Sequence, residues 1–323
     1  MSTYATLFRS LGHRVEQGHR VGVCTLVGTI GSAPQVAGAM MLLHEDMTTE
    51  GTLGGGCVET DVCRQAYELL RRGESAILTF SLDHDYGWDD SLICGGKMDI
   101  AVMPVSGERE VAPFLDAAAT LEQGRSASVK LRVQHQGQPQ EYCLHIEAPA
   151  RLLIAGAGHI GAEVARLATA LDFDVRIIDD RGDVIRRNRL PEPIKTIEGD
   201  IAATLRGQEI DANTFVVIVT RGHKHDEAAL HAVIDSKARY IGMIGSRRKI
   251  KLVFEDLLAL GVDAKKLERV HAPIGLPIAA VTVPEIAVSI IAELVQVRRT
   301  EKPTHVEGPA IVASRSPSGP CDR

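Results

Sequence analysis

The sequence lacks several features that would mark common classes of protein. It has no excess of basic residues: 36 Lys and Arg stand against 42 Asp and Glu, a net charge of −6. That argues against a nucleic-acid binder built on a broad basic face. No apolar run approaches the ~20 residues needed to span a bilayer, so no membrane partner is expected. The opening M-S-T-Y-A-T-L-F-R-S-L-G-H-R has no apolar segment followed by a cleavage site, so no secretory signal is expected. The six cysteines (Cys24, Cys57, Cys63, Cys94, Cys143 and Cys321) form no C-x-x-C. Neither a disulfide scaffold nor a zinc ribbon is indicated, and a reducing cytoplasm is the expected location. In that setting a lone cysteine is either buried or reactive.

What is present is a globular composition, 45% hydrophobic and 24% charged, over 323 residues. At roughly 150 residues per domain this predicts about two domains. Residues 1–149 read as mixed α and β. Tyr4, Leu7, Phe8, Leu11 and Val15 predict an opening helix by their spacing. Strands follow at 21–27, 40–43, 76–82, 98–105, 127–133 and 141–147, with a helix after Glu59 and another over 108–124. Their order in a sheet is not legible. Residues 150–299 alternate short Val- and Ile-rich strands with helical patterns. The strands fall at 151–155, 174–178, 194–198, 215–219 and 240–244, and a last helix spans Pro284 to Arg299. This predicts a Rossmann-like, doubly wound parallel sheet covered on both faces. After residue 300 the chain is polar and rich in Pro, Ser and Gly, and 300–323 is expected to be a disordered tail.

In the second half, Gly156, Gly158 and Gly161 form G-x-G-x-x-G between a strand and a helix. The first glycine permits a tight turn, the second a close approach of backbone to a pyrophosphate, the third close packing of helix on strand. Asp179 ends the next strand at the spacing of an acid that binds a ribose diol, which predicts a nucleotide ligand. The plainer alternative is a Rossmann fold that keeps its glycines for packing alone. His223 and His225 in T-R-G-H-K-H-D are candidates for acid, base or ligand, or are polar loop residues. Ser246 reads as a helix N-cap with Arg247 behind it, a possible anion site or a solvated helix start.

In the first half, Cys57 follows Gly54-Gly55-Gly56 at a helix start, and Cys94 precedes Gly95-Gly96. A thiol at a helix N-terminus is biased to the thiolate, the metal-binding form, and glycines leave room for a bulky ligand. The alternative is a small buried apolar residue, which is how Cys24 and Cys143, inside strand patterns, are read. Ser32 lies in the turn G-S-A-P as a ligand contact or a plain turn residue.

The stretches G-S-A-P-Q-V-A-G-A-M-M, G-T-L-G-G-G-C-V-E, C-G-G, G-A-G-H-I-G, Y-I-G-M-I-G-S-R-R and E-I-A-V-S-I-I-A-E-L occur in this order. Together they resemble the XdhC/CoxI family, accessory proteins of xanthine dehydrogenase and related molybdenum hydroxylases. The resemblance implies a chaperone that binds molybdenum cofactor, as molybdopterin or its cytosine dinucleotide. Such a chaperone protects the cofactor, supports its sulfuration with a cysteine desulfurase, and inserts it into an apo molybdenum hydroxylase. It implies Cys57 and Cys94 as the thiols that hold the metal, and a homodimer. On this reading the cysteine half takes the metal end of a dinucleotide cofactor and the Rossmann half the nucleotide end. The chain departs from the family pattern at Arg221 and Gly222, where T-H-D-H is usual, and at Pro277 and Ala279, where Asp and Gly are usual. From the residues alone the second reading is an NAD-dependent oxidoreductase with His223 as its proton-transfer group.

Overall fold

The computed structural model describes residues 3–82, 96–300 and 305–309. It divides into two compact units, residues 4–147 with 305–309, and residues 148–300.

The first unit starts with α1 (Thr3–Glu16), whose Leu7, Phe8, Leu11 and Val15 are buried, as their helical spacing predicts. A five-stranded antiparallel sheet follows, in the order β3 (Thr49–Gly51), β2 (Met40–Leu43), β1 (Val21–Ile30), β5 (Lys97–Val105), β4 (Ala76–Ser81). Along β1, Val21 and Val23 feed one core cluster, and Cys24 and Leu26 the other. Helix α2 (Gly56–Arg72) lays Val62, Ala66 and Leu70 along the sheet, and Gly73 ends it at φ 69°. The pairing of β1 with β5 slips between Leu26 and Gly28, leaving Val27 as an extra residue. Such a bulge bends the end of a strand, here the end that runs into the G-S-A-P turn.

Helix α3 (Glu108–Glu122) leads to β6 (Ala127–His135) and β7 (Gln138–Ile146). These form a second sheet together with β14 (His305–Glu307). A third strand there corrects the expected tail: within 300–323, residues 305–307 pair with β7 and Val306 packs on the core. The rest of that segment beyond Thr300, apart from Gly308 and Pro309, lies outside the described residues. Cys143 also differs from expectation. On β7 it alternates with buried Tyr142 and Leu144 and lies on the outward, half-exposed face.

The second unit is a six-stranded parallel sheet. Its strands in chain order are β8 (Arg151–Ala155), β9 (Asp174–Asp179), β10 (Lys195–Glu198), β11 (Thr214–Ile218), β12 (Tyr240–Met243) and β13 (Val270–His271). In space they run β10-β9-β8-β11-β12-β13, the 3-2-1-4-5-6 order of the Rossmann fold. Both faces are covered. Leu152 and Ile154 point into one cluster with Phe215 and Val217, while Leu153 and Ala155 point into the other with Val216 and Ile218. Helices α4 (His159–Thr169), α5 (Gly182–Asn188), α6 (Ile201–Arg206), α7 (His223–Val233), α8 (Arg247–Ala259), α9 (Ala264–Leu267) and α10 (Val283–Thr300) complete the unit. No helix among the described residues is long and apolar enough to cross a membrane.

One departure from the family pattern leaves a mark on the backbone. Ala279 sits at φ 58°, the left-handed region that a Cβ disfavours. Ala279→Gly removes that penalty and adds back unfolded-state entropy. The net expectation is a gain of about 0.5 kcal/mol in chemical denaturation, and an equal loss would show that the loop is not strained.

Candidate functional site

In the first unit the G-S-A-P turn, the glycines before Cys57 and Gly96 meet in one place. Gly54, Gly55 and Gly56 all have positive φ, at 120°, 73° and 72°. Such a run is open to glycine at no steric cost. A Cβ on Gly54 would lie 2.9 Å from Pro34 of the G-S-A-P turn, whereas a Cβ on Gly55 or Gly56 would meet nothing within 4 Å. A Cβ on Gly96, the last residue of C-G-G, would collide with the carbonyl oxygen of Ser32. The turn bearing Ser32 is thus packed by glycine contacts on both sides, and no described residue fills the space beside Gly55 and Gly56. Cys57 is the second residue of α2, where backbone N–H groups are free and the helix dipole is positive. Cys94 and Gly95 lie outside the described residues.

Glu59, which the sequence reading passed over, organises this loop. Its Oε2 accepts from Thr52 Oγ1 at 2.8 Å, Leu53 N at 3.0 Å and Gly55 N at 2.9 Å. Burial pushes its carboxyl up, and the three donors more than offset that, so it is held below the usual glutamate range. The other cysteines differ in setting. Burial pushes the Cys24 thiol far up, and Cys63 up as well.

In the second unit Gly156, at φ 112°, turns the chain so closely past β11 that a Cβ would be 2.6 Å from the Val219 carbonyl oxygen. A Cβ on Gly161 would strike the Gly156 carbonyl. Gly158, the N-cap of α4, has nothing within 4 Å of where its Cβ would be. Two glycines therefore pack and the middle one faces open space, which suits backbone approach to a phosphate.

Asp179 ends β9, as the sequence predicts, and its carboxylate is engaged within the chain. It is buried, with both oxygens engaged. Oδ2 accepts from Ala157 N at 2.7 Å and Arg181 Nη2 at 2.9 Å; Oδ1 accepts from Arg181 N at 3.0 Å and Nε at 2.9 Å. A ribose diol would have to displace Arg181. The carboxyl is held low: burial raises it, and Arg181 with the Ala157 N–H lowers it further. The adjacent Asp180 accepts from Arg221 Nη2 at 2.8 Å.

The other predicted residues lie at the same carboxyl end of the parallel strands. Ser246 accepts from Lys249 N at 3.3 Å and so caps α8, with Arg247 as that helix's first residue. His223 starts α7, and its Nε2 is 3.2 Å from Asp256 Oδ2. Asp226, fully buried, accepts from Thr220 N and Oγ1 and pairs with Lys249, which ties α7 to α8. An acid at the fourth position of a helix carries no sequence signal for such a role.

Two family models match, one in each unit: the XdhC and CoxI family over residues 14–81 and the XdhC Rossmann domain over residues 152–294. The chain belongs to the XdhC and CoxI family. It is 26% identical over 316 residues to the Escherichia coli K12 protein YqeB, covering 96% of this chain and 50% of YqeB. The chain therefore spans half the length of that relative. It is 25% identical over 310 residues to the E. coli K12 molybdenum cofactor insertion chaperone PaoD, covering 91% of this chain and 89% of PaoD. A solved Bacillus halodurans structure described as a xanthine dehydrogenase shares the fold, with TM-score 0.80 and 24% identity over 94% of this chain and 97% of that one.

Two of the family-like stretches, Y-I-G-M and E-I-A-V-S-I-I-A-E-L, turn out to be partners. Glu293 on α10 accepts from Tyr240 OH at 2.6 Å and from Gly275 N at 2.7 Å, and its other oxygen is 2.8 Å from His271 Nδ1. Burial pushes Glu293 up, but His271, Tyr240 and the Gly275 N–H bring it below its ordinary value of 4.5. A carboxylate with a depressed folded value stabilises fully above its unfolded value and loses that contribution as pH falls through the folded one. Glu293→Gln is therefore expected to cost about 1–2 kcal/mol at neutral pH. The difference from the parent should shrink below pH 4.5. Urea melts at several pH values check this, and a pH-independent difference would refute the charge argument.

Proposed function

We propose that this chain binds molybdenum cofactor, shields it, supports its sulfuration, and delivers it to an apo molybdenum hydroxylase. The observation that carries this reading is the packing of Gly54 on Pro34 and of Gly96 on Ser32. It brings the G-S-A-P turn, the three glycines before Cys57 and Gly96 together next to a helix N-terminus. The donor set suits the group. The start of α2 offers helix N-terminal N–H groups, the glycines leave room for a wide ligand, and Cys57 and Cys94 offer soft sulfur. Bound cofactor supplies a molybdenum centre that takes sulfur ligands readily. The chain's own part is to hold that group by thiolate and backbone N–H and to keep it until transfer. The likeness to PaoD points the same way. A cysteine desulfurase as sulfur donor, a homodimer and a cytoplasmic location belong to this reading. The Rossmann unit by itself offers the N–H groups at Gly158 and the start of α4 to a phosphate.

The test is to purify the chain from molybdate-fed cells, measure molybdenum by mass spectrometry, and add it to an apo hydroxylase. Bound molybdenum and restored hydroxylase activity are expected. A folded chain without molybdenum that turns over NADH would instead support the oxidoreductase reading, with His223 as proton donor.

A further inference from the structure

The outward face of the second sheet holds a cluster with no part in the function above. Strand β14 pairs antiparallel with β7, with His305 opposite His145 and Glu307 opposite Cys143. Val306 turns into the core, so His305 and Glu307 point outward together by the period of a strand. The rings of His145 and His305 stack, centroids 4.8 Å apart. Glu307 spans them: Oε2 is 3.4 Å from His145 Nε2, and Oε1 is 3.5 Å from His305 Nε2.

One ligand atom from each of the three side chains lies within 4.8 Å of the others, close enough to share an ion. Two donors each 2.0–2.1 Å from a zinc ion at the tetrahedral angle lie about 3.3–3.4 Å apart. The two Glu307 separations are long for a charge-assisted N–H···O bond, which is typically about 2.7–2.9 Å. The state of His145 agrees. Its Nδ1 is 2.9 Å from Ser128 Oγ, while its Nε2 is buried and has no hydrogen-bond partner among the described residues. A ring held at Nδ1 by a hydrogen bond, with Nε2 turned toward a carboxylate, is the arrangement of a metal-binding histidine. Among groups on the same face, Lys130 and Arg132 on β6 both pair with Glu141, at 2.8 and 2.9 Å.

We propose that His145 Nε2, His305 Nε2 and Glu307 form a binding site for a divalent first-row cation of the zinc type, with water completing its shell. Two imidazoles and one carboxylate suit this class and do not suit calcium or magnesium, which take oxygen. The ion would clip residues 305–307 to β7. Because the metal binds only when both strands are in place, its binding energy would stabilise that pairing.

The test uses the full chain, stripped with a chelator and titrated with zinc by calorimetry, with cobalt as a spectroscopic substitute. One stoichiometric site is expected. It should be lost in His145→Ala, His305→Ala and Glu307→Gln and kept in the Cys57→Ser, Cys94→Ser double variant. Ser128→Ala should weaken it about tenfold. In that double variant cobalt should give d–d bands without a thiolate charge-transfer band, and in the full chain zinc should protect the C-terminal segment from carboxypeptidase. Circular dichroism confirms folding of each variant, since the changes lie on an outward face. Absence of a stoichiometric site in the folded parent, unchanged affinity in folded His305→Ala, or a thiolate charge-transfer band in the Cys57→Ser, Cys94→Ser double variant would each overturn the proposal.

Discussion

Cys57→Ser is expected to fold normally, to purify without molybdenum, and to leave an apo hydroxylase inactive; Cys94→Ser should do the same less completely. The substitution keeps volume nearly unchanged and replaces a soft donor with a hard, protonated hydroxyl, which a sulfur-preferring metal discriminates against. Cys57 ranks first because it opens α2, where free N–H groups and the helix dipole favour a thiolate. The other cysteines serve as controls. Cys24 is wholly buried, with its thiol pushed up, so it is in no state to ligate. Cys24→Ser should retain molybdenum while losing about 1–3 kcal/mol for burying a hydroxyl. Cys143→Ser, on the outward face of β7, should retain molybdenum with little change in stability. Mass spectrometry for metal and circular dichroism for folding decide the matter. Full molybdenum in a folded Cys57→Ser, Cys94→Ser double variant would end the thiol-anchor reading.

Most of the frame was legible because burial on both faces leaves a plain trace. The continuous apolar runs at 151–155 and 214–218 announce strands covered on two sides, and they are. The helical spacing of Leu7, Leu11 and Val15 announces α1 in the same way. Short elements were lost. Val270–His271 and His305–Glu307 have too few residues to show a period, and only their neighbours make them strands. Cys143 was read as core because one residue in an alternating strand cannot report which face is buried. The carboxylates were the larger omission. Glu59 and Glu293 act on backbone N–H groups and on side chains far away in sequence, and neither kind of partner has a motif. The glycine fingerprint was readable because its spacing is local. The bonds of its acid to Arg181, two residues on, carry no such motif.

That residue sets the last expectation. Asp179→Ala should weaken binding of the cytosine dinucleotide and of the bare pterin monophosphate by the same factor. If Asp179 held a ribose, only the dinucleotide would suffer. Instead the carboxylate accepts Ala157 N–H in the middle of G-A-G and three bonds from Arg181. Removing it frees the turn that aims Gly158 at a phosphate, and both cofactor forms carry one. It also strands Arg181. Breaking a buried pair costs about 3–5 kcal/mol, but the Arg181 side chain is 31% exposed and water can take it up. A loss nearer 2–3 kcal/mol is expected in urea denaturation, in line with charge-assisted hydrogen bonds. Since the folded carboxyl is held below its ordinary 3.8, that stability is present at neutral pH and fades only as pH falls below this value. Calorimetry with the two cofactor forms at pH 7 is the direct measurement. A selective loss of the dinucleotide would show that the ribose displaces Arg181 and takes Asp179 for itself.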